Sequence, residues 1–188
     1  FLAFSLLIVL AGCQQYSLVQ AERISISENF SVEPDTNWNK RTTDGAEIWT
    51  IDGESLQSLR LFKGLGDGDT LFKLANAERQ ENMPTYSDTM SLLEIREFIE
   101  TSLVQSNATN VKGGVFEPRK FAGHDGFRFY ITFFDKNGLQ IKGFVEGAKA
   151  KGKLFVVFYY GAKLYYYDKH LKNVENMIQS AQIANAQS

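Results

Sequence analysis

Residues 127–134 read FRFYITFF, and the architecture of the chain is organised around this stretch. Its apolar side chains recur at every second position from Phe127 to Phe133, and the positions between them carry a second set that begins with Arg128. A period of two residues is typical of a β-strand, whose side chains point alternately to opposite faces. Asn137-Gly138 follows and is a strong signal for a hairpin turn. The sequence therefore predicts a long strand that turns back on a second one.

The β-strand pattern continues towards the C-terminus. Residues 139–145 keep the period of two, residues 148–153 form a lysine-rich turn, and residues 154–160 are nearly all apolar. A short apolar run of this kind is expected of a central strand that is covered on both faces. We therefore predict three long strands between Val115 and Gly161.

Two helices are predicted from apolar residues spaced three and four apart. The first lies within residues 88–104, where Ser91 and Glu94 have the spacing of a capping box. The second begins at about Asp168 and closes the chain. Their apolar faces are expected to consist of Leu92, Ile95, Ile99 and Leu103 in the first helix, and of Leu171, Val174, Ile178 and Ala181 in the second.

The N-terminal half predicts shorter strands joined by turns. Extended segments at 24–26, 30–33, 38–43, 48–51 and 56–65 are separated by turn signals such as Asp44-Gly45 and Asp52-Gly53. Residues 107–114 are expected to be a loop after the first helix. Strands grouped apart from helices indicate an α+β fold. We predict one domain over residues 24–188, in which an antiparallel sheet of about six to seven strands is flanked by two amphipathic helices.

Composition excludes several classes of protein. The chain has 188 residues, of which 44% are hydrophobic, and a net charge of -2. The charge and the aromatic content of 13% rule out a disordered chain, and the charge gives no support to nucleic-acid binding. With one cysteine, a disulfide framework and a four-cysteine zinc site are excluded. No cofactor is predicted.

The N-terminal stretch is expected to be a targeting signal. Residues 1–12 are apolar and uncharged. A segment of this length is too short to span a membrane. It is typical of the hydrophobic region of a signal peptide whose charged start is missing. Leu10-Ala11-Gly12-Cys13 resembles the lipobox of bacterial lipoproteins, in which cleavage precedes the cysteine and the cysteine receives acyl chains such as palmitate. The resemblance implies lipidation of Cys13, and residues 14–23 are expected to be a tether.

The lipobox resemblance also implies a location. In Gram-negative lipoproteins, Asp after the lipidated cysteine resembles an inner-membrane retention signal, and this chain has Gln14 there. The periplasmic face of the outer membrane is therefore favoured, whereas a Gram-positive host would imply the outer face of the plasma membrane. Several acyl chains anchor a protein stably, whereas one does not.

The arrangement of elements resembles PsbP-like domains over residues 24–183. The resemblance rests on the short strand Phe30-Ser31-Val32-Glu33-Pro34, the meander between Phe127 and Tyr160, and the closing helix with Gln179-Ser180-Ala181. That family includes extrinsic photosystem subunits, a nuclear-transport regulator and small bacterial lipoproteins. It implies an antiparallel sheet between helices and a binding or assembly role, usually without catalysis, and it assigns no functional residue in this chain.

Candidate catalytic and metal sites are few. His124-Asp125 is an adjacent imidazole and carboxylate, but it precedes Gly126 as turn residues do, and a nucleophile motif is missing. His170 is expected to be a surface helix residue. Asp67 and Asp69 in a glycine-rich loop suggest calcium, although the loop departs from the EF-hand pattern and a solvated turn is favoured.

Two clusters are candidate partner-binding surfaces. Lys149, Lys151 and Lys153 either orient the domain on an anionic membrane or partner, or keep a hairpin from edge-to-edge pairing. The second cluster consists of tyrosines, whose apolar ring and polar tip suit either the edge of a core or an interface. Its members follow the last long strand and are Tyr160, Tyr165, Tyr166 and Tyr167.

The sequence thus predicts a lipid-anchored envelope protein that binds an envelope protein partner and has no catalytic residue. One alternative is a carrier of an apolar small molecule or lipid, held between the sheet and a helix. Another is a hydrolase, which would require a cleft that joins His124 to a Ser, Asp or Glu.

Overall fold

A computed structural model describes residues 16–184, in which a large antiparallel sheet separates two hydrophobic cores. The large sheet has eight strands in the order β1-β4-β5-β6-β10-β9-β8-β7, and a small sheet has the order β11-β3-β2. The strands are β1 Ser17–Val19, β2 Ile24–Ser27, β3 Phe30–Val32, β4 Trp38–Thr42, β5 Ala46–Thr50, β6 Gln57–Phe62, β7 Thr109–Phe121, β8 His124–Phe134, β9 Gln140–Ala150, β10 Lys153–Ala162 and β11 Gln182–Ile183. The helices are α1 Ala77–Glu81, α2 Leu92–Gln105, α3 Tyr166–Lys169 and α4 Leu171–Gln179.

The predicted α+β class with an antiparallel sheet is confirmed, but the strand count was too low. The described residues contain an eight-stranded and a three-stranded sheet, and four helices instead of two. Two differences account for part of this. Ser17–Val19 lies inside the expected tether yet pairs with β4. The expected loop at 107–114 contains the first residues of β7, whose alternation is broken by bulges after Thr109 and Gly113.

Most of the large sheet consists of two meanders that meet in its middle. β4, β5 and β6 form a meander, and α2 then carries the chain across one face to the far edge, where β7 begins. β7 to β10 return as a second meander, so that β10 pairs with β6, with Val157 opposite Leu61. The predicted hairpin at Asn137-Gly138 joins β8 to β9.

The α2 helix covers part of one face of the large sheet. It begins as predicted at a capping box, because Ser91 Oγ accepts from the Glu94 N–H at 3.3 Å and the Glu94 carboxylate accepts from the Ser91 N–H at 2.7 Å. Its buried residues pack with the inward side chains of β8, which include Phe127 and Phe129. α3, α4 and the small sheet cover the opposite face.

A buried ionic cluster connects the large sheet to α4, on the face opposite α2. Arg128 in β8 is almost fully buried, its Nε donates to the Glu146 carboxylate at 2.6 Å, and its two terminal nitrogens donate to Glu175 of α4 at 2.5 and 2.8 Å. The guanidinium carbon lies 4.1 Å from the centroid of the Phe144 ring. Although burial lowers the pKa of Arg128, the two carboxylates outweigh this effect and raise that pKa. α4 is thereby fixed to strands β8 and β9 of the sheet.

We expect Arg128→Met to destabilise the fold by about 3–5 kcal/mol, because it leaves the Glu146 carboxylate buried without its main partner. The double variant Arg128→Met/Glu146→Met should recover most of that loss, since no buried charge remains at this point. Urea unfolding of both variants measures the difference. Equal destabilisation of the single and double variants would contradict this explanation of the cluster.

Candidate functional site

The face of the large sheet that carries α2 contains a groove of about 670 Å³, which we call the sheet–α2 groove. It lies between the C-terminal end of α2 and the segment 70–74, above strands β4, β5, β6 and β10 and the ends of β8 and β9 that carry Phe133 and Ile141. Small-ligand sites are usually concave, of about 300–1,000 Å³ and mainly apolar. The apolar lining consists of Ala46, Ile48, Phe62, Leu71, Phe72, Leu74, Leu103, Ala108, Phe133, Ile141 and Phe158.

The groove exists because the adjoining segments cover this side of the sheet incompletely. The 70–74 segment buries Leu71 and Phe72, and α2 buries Leu103, so each wall is anchored in the core. Phe72 packs on Phe62 of β6 with ring centroids 6.2 Å apart. The floor and both walls of the groove are therefore held in place by packed aromatic and aliphatic side chains.

One rim of the groove is tied to the N-terminal strand. Arg41 donates to both oxygens of Glu54, at 2.8 and 2.7 Å, and the Tyr16 hydroxyl donates to Glu54 at 2.6 Å. Partial burial raises the pKa of Glu54, but the hydrogen bonds from Arg41 and Tyr16 outweigh burial and lower that pKa below its ordinary value. Glu54 is therefore ionised at neutral pH, and its charge is matched by Arg41.

Arg60 lies on the floor of the groove and differs from the other arginines. Its Nε donates to the Tyr160 hydroxyl at 3.1 Å, and its guanidinium carbon lies 5.2 Å from the ring centroid of Phe72 and 5.7 Å from that of Tyr160. Across residues 16–184, every arginine except Arg60 and Arg79 forms an ion pair. Arg79 donates to the Gln105 carbonyl instead. Within the described residues, Arg60 thus presents a cation without an ion-pair partner among the apolar residues on the floor of the groove.

The predicted tyrosine cluster is divided between different surroundings. Tyr160 faces the sheet–α2 groove, whereas Tyr167 is buried on the other side of the sheet, where it packs on Tyr159 at 5.4 Å between ring centroids. Tyr166 is half-buried and Tyr165 is 59% exposed, next to Leu164, which is 99% exposed. The four tyrosines therefore do not form one continuous surface.

The predicted lysine cluster makes contacts within the chain. Lys149 donates to the carbonyls of Asp88 and Met90, in the segment before α2, and Lys151 donates to Asn29 at 3.0 Å. Lys153 is exposed. Two of the three lysines thus connect the β9–β10 turn to neighbouring loops.

The catalytic and calcium candidates lie apart from the groove. His124 begins β8, and its side chain forms no hydrogen bond with any residue between 16 and 184. Asp67 accepts from the Asp88 N–H at 3.0 Å and Asp69 from the Gly66 N–H at 2.8 Å, so both carboxylates stabilise loop turns. Within the described part of the chain, no three His, Cys, Asp or Glu side chains lie close enough together to hold a metal ion.

The prediction that His170 is a surface helix residue was wrong. Its side chain is 12% exposed, its Nε2 lies 2.7 Å from the Asp52 carboxylate, and its ring lies 6.4 Å from that of Trp38. Lys169 donates to the same carboxylate at 2.7 Å. The junction of α3 and α4 is thereby connected to the β5–β6 turn, a contact between residues far apart in sequence.

Sequence reasoning missed Arg60, the residue that distinguishes the groove. One local signal could have indicated it, since Leu59-Arg60-Leu61-Phe62 places a single charge inside an apolar strand. A charge in the interior of a sheet requires a partner or a function. The missing ion pair could be recognised only once the surrounding carboxylates were located.

Comparison with solved structures identifies the fold. The chain is similar to cyanobacterial PsbP (CyanoP) from Synechocystis sp. PCC 6803, with a TM-score of 0.55 and 10% sequence identity over 94% of this chain and 97% of that chain. The PsbP-like fold is confirmed. At this identity the likeness concerns the PsbP-like fold alone.

A second structure, LpqN, involved in cell envelope biogenesis of Mycobacterium tuberculosis, has a TM-score of 0.38 and 8% identity over 94% of this chain and 88% of that chain. A TM-score this low supports no conclusion. No protein-family model and no curated protein matches the chain. Among the described helices, none has the length and hydropathy needed to cross a bilayer.

We expect Asp52→Asn to destabilise the protein by about 1 kcal/mol at neutral pH. Partial burial raises the pKa of Asp52, but hydrogen bonds from Lys169 and His170 outweigh burial and lower that pKa below its ordinary value. The stabilisation is therefore present above the ordinary aspartate pKa of about 4 and is lost as pH falls through the lower folded pKa. Urea unfolding at a series of pH values measures the difference between the two proteins.

The control for this prediction is Asp125→Asn, because Asp125 forms an exposed ion pair with Lys120. It should change the free energy of unfolding by less than about 0.5 kcal/mol. If the Asp52 and Asp125 variants lose the same stability, the contact between Asp52 and the α3–α4 junction does not stabilise the fold as described.

Proposed function

We propose that this protein is a lipid-anchored protein of the cell envelope that binds an apolar small molecule in the sheet–α2 groove and catalyses no reaction. The observation that carries the proposal is a groove of about 670 Å³ that is lined by twelve aromatic and aliphatic side chains. Burial of apolar surface contributes roughly 25 cal/mol per Å², so an apolar ligand gains affinity from the apolar surface that these side chains leave open to the groove. This favours the carrier alternative over a protein partner.

The envelope location rests on the resemblance of Leu10-Ala11-Gly12-Cys13 to a lipobox, which lies outside the described residues. Cys13 precedes Tyr16 by three residues, and three extended residues span about 10 Å. Tyr16 contacts Glu54 on the rim of the groove. A lipid on Cys13 would therefore hold this rim close to the membrane surface, where apolar molecules are concentrated.

A binding role without catalysis is supported by how two of the groove's three carboxylates are engaged. Glu54 is held by Arg41 and Tyr16, and Asp135 accepts from the N–H groups of Asn137 and Leu139 at 2.9 and 2.8 Å. A general acid or base needs a carboxyl group that can reach the substrate's proton. In this groove, Glu54 and Asp135 instead stabilise the rim and a turn.

We expect the neutral fluorescent probe N-phenyl-1-naphthylamine to bind the protein and raise its melting temperature. A ligand of the folded state at 100 times its dissociation constant adds about 2.7 kcal/mol, which is about 5–10 °C for a domain of this size. Leu74→Trp, which adds a ring to the wall of the groove, should reduce probe binding. Fluorescence titration and thermal unfolding measure both effects.

The control is Val104→Trp, because Val104 is exposed on α2 and does not line the groove. It should bind the probe as the unmodified protein does. Failure of the unmodified protein to bind the probe would overturn the proposed function. Equal loss in the Leu74 and Val104 variants would place the binding site elsewhere.

A protein partner is the second candidate, and one observation favours it. Leu164 and Tyr165 form an exposed apolar pair at the turn between β10 and α3, with Tyr166 half-buried beside them. Exposed apolar patches often mark interaction sites, although single exposed apolar residues are common. Of the residues that the sequence suggests for partner binding, the exposed ones are Tyr165, Lys151 and Lys153, and Lys151 is bonded to Asn29.

The partner candidate predicts that the lipidated protein, crosslinked in its own membranes, captures one protein in stoichiometric amount and that Leu164→Ser/Tyr165→Ser loses it. Mass spectrometry of the crosslinked material identifies the captured protein. The Cys13→Ala variant, which lacks the lipid site, should be lost from the membrane fraction. It serves as the control for location. Capture that is unchanged by the double substitution would exclude this surface.

A further inference from the structure

The geometry of the groove points to a single-chain carboxylate, such as a long-chain fatty acid, as its ligand, with Arg60 as the residue that binds the carboxylate. This inference rests on the proposed function and adds the chemical class of the ligand. It assigns a polar head group to the Arg60 side of the groove and an alkyl chain to the apolar lining.

Arg60 has the free donors that such a head group needs. A guanidinium carries five N–H donors, and in Arg60 only the one on Nε is engaged by the chain, by the Tyr160 hydroxyl. The two terminal nitrogens remain available within the described residues. They form the planar fork that matches a carboxylate through two parallel hydrogen bonds. The rings of Phe72 and Tyr160, at 5.2 and 5.7 Å from the guanidinium carbon, pack against this fork.

The position of Arg60 is on the floor of the groove and not on its outer edge. In the register of the sheet it lies opposite Ile48 of β5 and Phe158 of β10, and both of these line the groove. Phe62 is the next residue of β6 on the same face, and it shares a hydrophobic core with Leu103 of α2. A ligand with its carboxylate at Arg60 can therefore lay its chain along Phe62 towards α2.

The charges around the groove favour a single negative charge. Four cationic side chains line it against three carboxylates, which leaves one positive charge. Arg41 is engaged by Glu54, so that charge is centred near Arg60, Lys73 and Lys136. Glu54 is ionised, and it would repel a doubly charged phosphate more strongly than a carboxylate. A monoanion with an apolar chain matches both the charge and the lining.

A purely structural role for Arg60 is the competing explanation. Its contacts with the rings of Phe72 and Tyr160 could stabilise the floor of the groove without any ligand, as cation–π contacts do at partly exposed sites. An unpaired cation at this place also loses hydration, which opposes that gain. The structural explanation predicts no preference for an anionic ligand, so ligand charge separates the two.

The test compares ligands of equal chain length by isothermal titration at pH 8. Dodecanoate and dodecanol share the alkyl chain and differ in the head group, and acetate is the head group without the chain. We expect dodecanoate to bind about 10–100-fold more tightly than dodecanol, because hydrogen bonds to a charged group are stronger than those to a neutral one. Acetate should not compete with dodecanoate at comparable concentrations.

Substitution of Arg60 provides the second arm. Arg60→Gln should weaken dodecanoate binding about 10–100-fold and leave dodecanol binding unchanged, while Arg60→Lys retains part of the preference. Lys112→Gln removes the same charge from the exposed edge strand β7 and should change neither affinity. Circular dichroism checks that each variant is folded.

The outcomes separate this inference from the proposed function. If dodecanol and dodecanoate bind equally, or if Arg60→Gln and Arg60→Lys bind dodecanoate as the unmodified protein does, the carboxylate assignment is wrong and the apolar groove still stands. If acetate competes on equal terms, Arg60 binds free anions and the alkyl chain has no part. If neither twelve-carbon ligand nor the neutral probe binds, the proposed function itself fails.

Discussion

The eight-stranded sheet is roughly 34 Å wide, since neighbouring strands lie about 4.8 Å apart, and a helix with its side chains is only about 10 Å wide. One helix therefore cannot cover one face of this sheet. On one side, α3, α4 and the small sheet share the task. On the other side, α2 packs beside the β7–β8 end, and the segment 70–74 with its neighbours covers part of what remains. The sheet–α2 groove is the space between them.

The topology explains why α2 leaves part of this face uncovered. The chain must pass from β6 in the middle of the sheet to β7 at the far edge, and α2 is the crossing segment. Its end at Gln105 must lie near the start of β7 at Thr109, so the helix cannot also lie over β4 and β5. An apolar floor is left there, with Arg60 in it and the Arg41–Glu54 pair at its rim. The candidate binding site thus follows from the order of the strands.

The sequence predicted the elements whose signals are local. The period of two in residues 127–134 predicted β8, and the capping residues Ser91 and Glu94 predicted the start of α2. The start of β7 was missed because Gly113 and Gly114 are typical of a loop and because the bulges interrupt the period of two. An edge strand tolerates such residues, since one side of it has no strand to pair with.

The candidate site could not be predicted in the same way, because it depends on residues that are distant in sequence. Arg60 and Tyr160 are separated by 100 positions, and His170 and Asp52 by 118. Periodicity indicates which face a side chain occupies but not which side chain lies opposite. The tyrosine run illustrates this, since Tyr165 is exposed and Tyr167 is buried although they are two residues apart.

Intermolecular nuclear Overhauser effects can show whether the partly covered face of the sheet is the ligand-binding surface. With carbon-13-labelled dodecanoate bound there, we expect contacts from the alkyl chain to Phe62, Leu71 and Leu103. Contacts to Val174 or Met177, which lie in the opposite core, would refute this assignment. So would a bound ligand without contacts to any residue of the sheet–α2 groove.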